Sequence, residues 1–488
     1  MKSQIQFYLN NRRVEINAEE HPSLSPLTTV LQYLRSLPDH KSVKEGCAEG
    51  DCGACTVVLA KPNRKGKLEY RAVNSCLLFL PMLDGAQLLT VEDLLQPDNS
   101  PHPIQSALTN HHASQCGFCT PGIVMSLFAL SKAEPNNGFT REDVEIALAG
   151  NLCRCTGYRP ILDAAMEVLQ TPVQDQFDAA EAATVQKLQE IPGESLHIRH
   201  PQCEYFRPAT LVEAFNFLAA HPDCRILNGG SDAALEVTKQ FKHFPAVLDL
   251  SNVDELRKVE ERPEGWFIGA GVPMANLQSI LPEKFSAIHH MLSVFASLQI
   301  RNVATIGGNL GTASPIGDMA PVLMAYRCRV QLSGPEGQRE VPLDSFFTGY
   351  RQTVKSGMEL ITGIILPHSD PQWMVKAYKI SRRKDVDIST LSGGFALKLN
   401  KDGLVEEVIL AFGGMAATSK RARKVEEYLA GKSWNPETIE DALPFLQEDF
   451  TPISDVRGSA RFRLMAAENL LRKFYLETSQ SEELVNFN

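Results

Sequence analysis

Over residues 4–16 apolar side chains alternate with polar ones on both sides of Asn10-Asn11, which predicts two strands, 4–9 and 13–16, joined as a hairpin. Val30, Leu31 and Leu34 then recur at helical spacing, and Thr28 or Thr29 can cap the short amphipathic helix they imply. A strand is expected at Thr56–Leu59, and Cys76 sits in an apolar run. From about residue 90 the period lengthens. Residues 91–95, 104–108, 121–131, 141–149 and 160–169 each place apolar residues at helical intervals. Thr120-Pro121 reads as an N-cap with proline at the first helical position, Thr140 to Asp143 as a capping box with Asp for Glu, and Gly150 as a stop.

Residues 171–198 are rich in Gln, Glu, Ala and Pro and suit a surface linker, with some helix at Ala179–Leu188. Beyond His200 helices and strands alternate: a helix at Leu211–Leu218, then a strand Arg225–Leu227 running into a glycine turn. A three-stranded meander is expected at 375–381, 391–400 and 404–413. Helices are expected at Ala422–Leu429, Pro436–Leu446 and Ser459–Glu477, the last with Phe462, Ala466, Leu470 and Phe474 on one face.

At 488 residues the chain exceeds one domain, and a prior of roughly 150 residues per domain suggests about three. A net charge of −10 argues against nucleic acid or an anionic membrane as the main partner. The N-terminus lacks a secretory signal, and no apolar run reaches the ~20 residues that span a bilayer. The chain therefore reads as soluble and cytoplasmic, where its eleven cysteines point to metal ligation, not disulfides.

The stretch GCAEGDCGACT sets Cys47, Cys52 and Cys55 on one glycine-rich loop, with Cys76 as a fourth thiol at a distance. This C-x4-C-x2-C...C spacing is that of a plant-type [2Fe–2S] site, and the small residues let backbone N–H groups approach the sulfurs. Zinc is the alternative, but it usually pairs two close knuckles or adds histidine. A second set, Cys116 and Cys119 with Cys153 and Cys155, falls at helix boundaries and can close another four-sulfur site. Cys203, Cys224 and Cys328 stand alone and read as small core residues.

Two glycine-rich stretches, Asn228 to Asp232 and Arg301 to Pro321, follow β-prone residues, so their N–H groups can line a diphosphate pocket. Neither is a Rossmann or Walker fingerprint.

QCGFCTPG at 115–122 and NLCRCTGYRP at 151–160, behind GCAEGDCGAC, resemble the iron–sulfur half of the molybdenum hydroxylases, the family of xanthine dehydrogenase and aldehyde oxidase. The resemblance implies a multidomain α+β chain. It would comprise a β-grasp ferredoxin-like domain (1–88), a four-helix [2Fe–2S] domain (89–170), the linker (171–198), an α+β FAD-binding domain of vanillyl-alcohol-oxidase type (199–373) and a C-terminal α+β flavoprotein domain (374–482). It further implies that Gln115 touches the pterin of a molybdopterin cofactor. The first flavin segment would be Ile226, Leu227, Asn228, Gly229, Gly230, Ser231, Asp232 and Ala233. Phe295 would contact the flavin ring, Thr305, Ile306, Gly307, Gly308 and Asn309 would form the second diphosphate loop, and Asp318, Ile361 and Lys379 the remaining contacts. Tyr350 and the charged turn Arg382–Asp387 would face NAD.

The family's large molybdopterin domain is not found before Asn488. The resemblance thus implies the small subunit of a bacterial two-subunit xanthine dehydrogenase, in a heterotetramer with a large molybdenum-cofactor-binding subunit. Electrons from hypoxanthine or xanthine would pass through two [2Fe–2S] clusters to FAD and then NAD, with oxygen as an alternative acceptor. No side chain stands out as catalytic toward a purine. The alternatives are the same relay serving an aldehyde, nicotinate or aromatic thioester enzyme, or a non-catalytic zinc-binding scaffold.

Overall fold

Strands β1 (Ile5–Leu9) and β2 (Arg12–Ile16) pair antiparallel around Asn10, whose φ of +52° is one that Asn tolerates better than most residues. Helix α1 (Val30–Ser36) is capped by Thr29, with Gln32 returning the bond to the Thr29 N–H. Strands β3 (Thr56–Pro62), β4 (Leu68–Asn74) and β5 (Gln87–Leu89) complete a sheet of order β2-β1-β5-β3-β4, in which β1 and β5 run parallel. The helix packs Val30, Leu31 and Leu34 with Phe7 and Val57, giving the expected β-grasp arrangement. The structure, a computed structural model, describes residues 1–21, 23–134 and 138–479.

Four helices follow: α2 (Pro103–Asn110), α3 (Thr120–Ser131), α4 (Arg141–Leu148) and α5 (Arg159–Val168). Ile104, Leu108, Ile123, Leu127, Phe128 and Val144 form their core. Thr140 and Asp143 cap α4 reciprocally, as the sequence predicts. Thr120 does not cap α3: it is the first helical residue, and its hydroxyl bonds Ser114 Oγ at 2.7 Å. Val91–Leu94 is a single 3-10 turn.

The stretch expected as a linker contains α6 (Gln176–Gln189), which is packed. Its N-cap Asp175 accepts from the N–H groups of Phe177 and Asp178 and meets buried His102 at 2.9 Å and Lys132 at 2.7 Å. Phe177 enters the four-helix core, while Val185, Leu188 and Ile191 pack with Tyr8 and Leu68.

A second sheet, of order β6-β7-β9-β8, is built from β6 (Leu196–His200), β7 (Cys203–Arg207), β8 (Arg225–Leu227) and β9 (Ala246–Asp249), with α7 (Leu211–Ala220) and α8 (Ala233–Thr238) between strands. Lys2 bridges to Leu196, and buried Asp84 pairs with Lys2 and Arg207. All of this, Met1–Asp254, forms one unit together with Ala296–Ala304, which carries a short helix at Leu298–Arg301.

The other unit begins at Glu255 and resumes at Thr305. Its antiparallel sheet has β10 (Val259–Arg262) beside β11 (Gly265–Gly269), then strand Leu360–Leu366, then β12 (Arg329–Gly334) and β13 (Gly337–Pro342). The expected meander is present as Trp373–Ile380, Leu391–Leu399 and Val405–Gly413. Helix Met319–Ala325 lies so close on it that a Cβ at Gly394 would meet Pro321 O at 2.1 Å. The helix expected at 436–446 is broken into Pro436–Ala442, a 3-10 turn holding Pro444, and a last short turn. In Ala460–Ser479 the buried face is Arg463, Ala466, Ala467, Leu470, Leu471 and Phe474. Phe462, expected on that face, is 39% exposed because an i, i+4 row drifts around a helix of 3.6 residues per turn. The expected domain end at 482 lies outside the described residues.

Candidate functional site

The first thiol loop is shaped by Ala48, Gly50 and Gly53, at φ of +53°, +84° and +67°. Two of the three are glycine because that region is open to it without cost. The wrapping aims N–H groups inward: Glu49 N and Cys52 N donate to Cys47 Sγ at 3.4 and 3.3 Å. Cys76 arrives from the 3-10 turn after β4 and stands 3.4 Å from Cys55 Sγ, both buried. The Cys52 thiol and these N–H groups pull Cys47 down to about 5, while the same contact and burial push Cys52 up. Cys55 is likewise held down and Cys76 pushed up, chiefly through their mutual bond.

The second set is built the same way across two turns, with Cys119 facing Cys153 and Cys116 facing Cys155. Burial and the Cys153 contact push Cys119 up to about 12. The burial of Cys153 is outweighed by the Thr156 hydroxyl, 3.1 Å from its sulfur, and by nearby N–H groups, so its thiol lies low. Cys116 and Cys155 are exposed, as is Gln115 beside them. Among the described residues no three acidic, His or Cys side chains converge as they would on one ion. Thiols standing in pairs, with N–H groups on sulfur, fit a two-iron cluster of four cysteines and fit a single tetrahedral zinc poorly.

The two sets are joined. Leu152 N donates to Cys52 O at 3.0 Å, and Asn151 Nδ2 to Gly53 O at 3.1 Å. Gly53 must be glycine for a second reason, since a Cβ there would lie 2.2 Å from Gly150 O.

In the same unit lies the segment Ile226–Ala233. Gly229 and Gly230 are consecutive left-handed residues, and a Cβ at Gly229 would meet Val303 O at 2.0 Å. No acceptor among the described residues takes the N–H groups of Gly229, Gly230 or Ser231. Such a run of N–H groups on a left-handed turn is an anion cradle, which fits a diphosphate. Leu227, Ala233 and Ala234 share one apolar core with Cys55, Cys76 and Leu77.

The second glycine-rich stretch behaves differently. Thr305 caps helix Ile306–Thr312, and the N–H groups of Ile306, Gly307 and Gly308 already donate to Val272 O, Ala270 O and Thr305 Oγ1. The amides of Ile306, Gly307 and Gly308, expected to face a diphosphate, are thus engaged within the protein. Ile361 lies over this helix, so that a Cβ on Gly311 would come to 3.4 Å from its Cδ1. Lys379 Nζ, buried, lies 2.8 Å from Asp318 Oδ2 and 2.9 Å from Val294 O, next to Phe295, and Ser389 donates to the other Asp318 oxygen. Tyr350 is 64% exposed on a two-strand turn, and Arg382–Asp387 is a hydrogen-bonded surface turn.

Asn151, Ser126 and Gln299, which brace the thiol loops, escaped the sequence reading. Asn151 adjoins a cysteine motif and could have been singled out for that; Gln299 lies in an ordinary run of mixed polarity.

Residues 90–166 match a [2Fe–2S] binding domain, 201–369 the FAD binding domain in molybdopterin dehydrogenase, and 376–478 the CO dehydrogenase flavoprotein C-terminal domain. The chain is 33% identical to xanthine dehydrogenase of Emericella nidulans over 96% of its own length and 38% of that protein's. It is also 33% identical to xanthine dehydrogenase/oxidase of Mus musculus, over 97% of the chain and 39% of that protein. It thus spans about two-fifths of the length of these curated relatives. Carbon monoxide dehydrogenase from Hydrogenophaga pseudoflava is similar in structure, with a TM-score of 0.53 and 26% identity, covering 56% of this chain and 96% of that one. No described helix is long and apolar enough to cross a membrane. The paired thiols, the glycine cradle and these matches agree: the chain belongs to the molybdenum hydroxylases, as an iron–sulfur and flavin electron-transfer module of that family.

Proposed function

We propose that this chain is the electron-transfer part of a cytoplasmic xanthine dehydrogenase. It takes electrons from a molybdopterin-bearing partner chain that oxidises hypoxanthine and xanthine to urate, and it delivers them to NAD. The observation that carries this reading is the succession within one unit of Cys116/119/153/155, Cys47/52/55/76 and the Ile226–Ala233 cradle, linked by the Leu152 N–H to Cys52 O bond and a shared core. Similarity to xanthine dehydrogenases along nearly the whole chain supports the substrate.

When bound, two [2Fe–2S] clusters carry electrons singly, and FAD exchanges single electrons for the hydride that NAD accepts. The chain's residues set the conditions. Eight thiolates hold iron, and N–H groups on Cys47 stabilise its negative charge. Burial of Cys55 and Cys76 keeps water from the inner sulfurs. The Gly229–Ser231 amides hold a diphosphate, and Lys379, fixed by Asp318, places a cation on the Val294 carbonyl, one residue before Phe295. Gln115, exposed with Cys116, would meet the partner's pterin, and exposed Tyr350 with the 382–387 turn would meet NAD. The domains run 1–88, 89–170, 199–373 and 374–482, and the assembly is a heterotetramer.

The test is NADH formation driven by xanthine, with the chain purified together with the partner it retains. NADH that disappears when the partner is stripped supports the whole reading. Similarity to carbon monoxide dehydrogenase favours a second reading, the same relay serving another molybdenum enzyme, such as one for an aldehyde, nicotinate or an aromatic thioester. Iron and flavin without xanthine-dependent NADH would select it.

A further inference from the structure

Residues Ala296–Ala304, flanked in sequence by Phe295 and Thr305, belong to the unit that holds both thiol sets, and Gln299 is fully buried there. Its amide nitrogen lies 2.9 Å from Ser126 Oγ, 2.9 Å from Asn151 Oδ1 and 3.1 Å from Ala147 O. Its two N–H groups are shared among these three acceptors, and Ser126 Oγ is one of them because the hydroxyl donates its own proton to Asn151 Oδ1 at 2.7 Å. Turning the Gln299 amide over would set its oxygen against two others, so its orientation is fixed.

The consequence passes to Asn151. With its oxygen taken by Ser126 and Gln299, its nitrogen must face the other way, to Gly53 O at 3.1 Å and Thr56 Oγ1 at 3.2 Å. Gly53 stands between Cys52 and Cys55, while Asn151 precedes Cys153 by two residues and its neighbour Leu152 is bonded to Cys52 O. There is no slack around this chain of amides. A Cβ on Gly150 would come within 2.3 Å of Gln299 Oε1, and one on Gly122 within 2.2 Å of Gly53 O.

We propose that Gln299 is a positioning residue for the electron relay: by fixing the direction of the Asn151 amide it holds the Cys52–Cys55 loop and the Cys153 turn at one spacing, and so sets the coupling between the two clusters. The inference rests on the two-cluster reading above. Gln299 touches no thiol; it acts through Asn151.

The test uses the full chain loaded with iron and flavin, reduced with dithionite and examined by low-temperature electron paramagnetic resonance. Two reduced clusters close together split each other's resonances, and that splitting reports their spacing. Gln299→Met, which keeps the volume and removes the donor, is expected to retain the iron and both resonances while changing the mutual splitting. Asn151→Asp, which turns a carboxylate oxygen toward Gly53 O, is expected to change it likewise, and the double variant to add nothing, since the two act as one unit. Splitting and resonances unchanged in Gln299→Met would overturn the proposal, as would a change confined to the resonance lost in Cys153→Ser. If Gln299→Met fails to fold, Ser126→Ala, which removes the other donor to Asn151, must alter the splitting; no alteration overturns the proposal. A single resonance in the unsubstituted chain would sink the two-cluster reading itself, and this inference with it.

Discussion

Each set joins thiols held low to thiols pushed up, and substitutions in the two sets separate cleanly. Cys47→Ser is expected to remove the N-terminal site's share of the iron, and Cys153→Ser the share of the helical site, each read as half the iron per chain and the loss of one paramagnetic signal. Cys203 serves as the control: burial pushes its thiol up to about 12, so Cys203→Ser keeps all the iron. Asp175 is the residue on which the neighbouring charges converge. Burial would raise its carboxyl, but His102 and Lys132 outweigh it and hold it below the usual range. A carboxyl lowered on folding stabilises above its unfolded pKa of about 3.9, and that contribution is lost as pH falls through the lower folded value. An acid titration should therefore show a loss of stability below about pH 4 that Asp175→Asn lacks. At neutral pH the same substitution leaves buried Lys132 with Asp178, also at 2.7 Å, as its remaining counter-charge, at a cost of about 1–3 kcal/mol in denaturant unfolding.

Among the elements, α6 and the final helix show how a polar residue can anchor a whole segment. Helix α6 is held at one end by the Asp175 cluster and along its length by Phe177, Val185 and Leu188. The final helix buries Arg463, which donates to Thr390 O and, at 3.0 Å, to Gly414 O, and pairs with both oxygens of Asp455 at 2.8 and 2.9 Å. Arg463→Met leaves two carbonyls without their donor and should cost about 3 kcal/mol, measured as a shifted unfolding midpoint. Strand Trp373–Ile380 and the start of helix Met319–Ala325 meet at Lys379 and Asp318. Lys379→Met strands the buried Asp318 carboxylate and frees the Val294 carbonyl next to Phe295 in sequence, and bound flavin, read by absorbance after gel filtration, should fall while iron stays constant.

The chain folds into two units, one of them assembled from segments far apart in sequence. The first flavin segment and Ala296–Ala304 belong to the same unit as both thiol sets. Lys2, Asp84 and Arg207 tie the ferredoxin-like sheet to β7, and Asn302 Nδ2 donates to Ala72 O at 2.8 Å. A fragment ending at Gln170 would lose α6, the β6–β9 sheet and the Gln299 brace. It should unfold at lower denaturant than the thiol sites do in the full chain, followed by the bleaching of the visible iron–sulfur absorbance.

Local chemistry was written in the chain order. Cysteine spacing, glycine turns, the Thr140–Asp143 cap and the alternation of β1 and β2 all depend on neighbours within a few residues, and they can be read without a fold. Strands β4 and β5 escaped because mixed or very short runs carry little periodicity. Helix α6 was legible in part, at Ala179–Leu188, but its packing escaped because its stabilising partners, His102 and Lys132, lie far back in the chain. The pairing of thiols across turns, the engaged amides of Ile306 to Gly308 and the chain from Gln299 to Asn151, 148 residues apart, came from folding alone. A buried polar group is defined by whatever satisfies its hydrogen bonds, and that partner is set by proximity in space, which spacing along the chain does not encode.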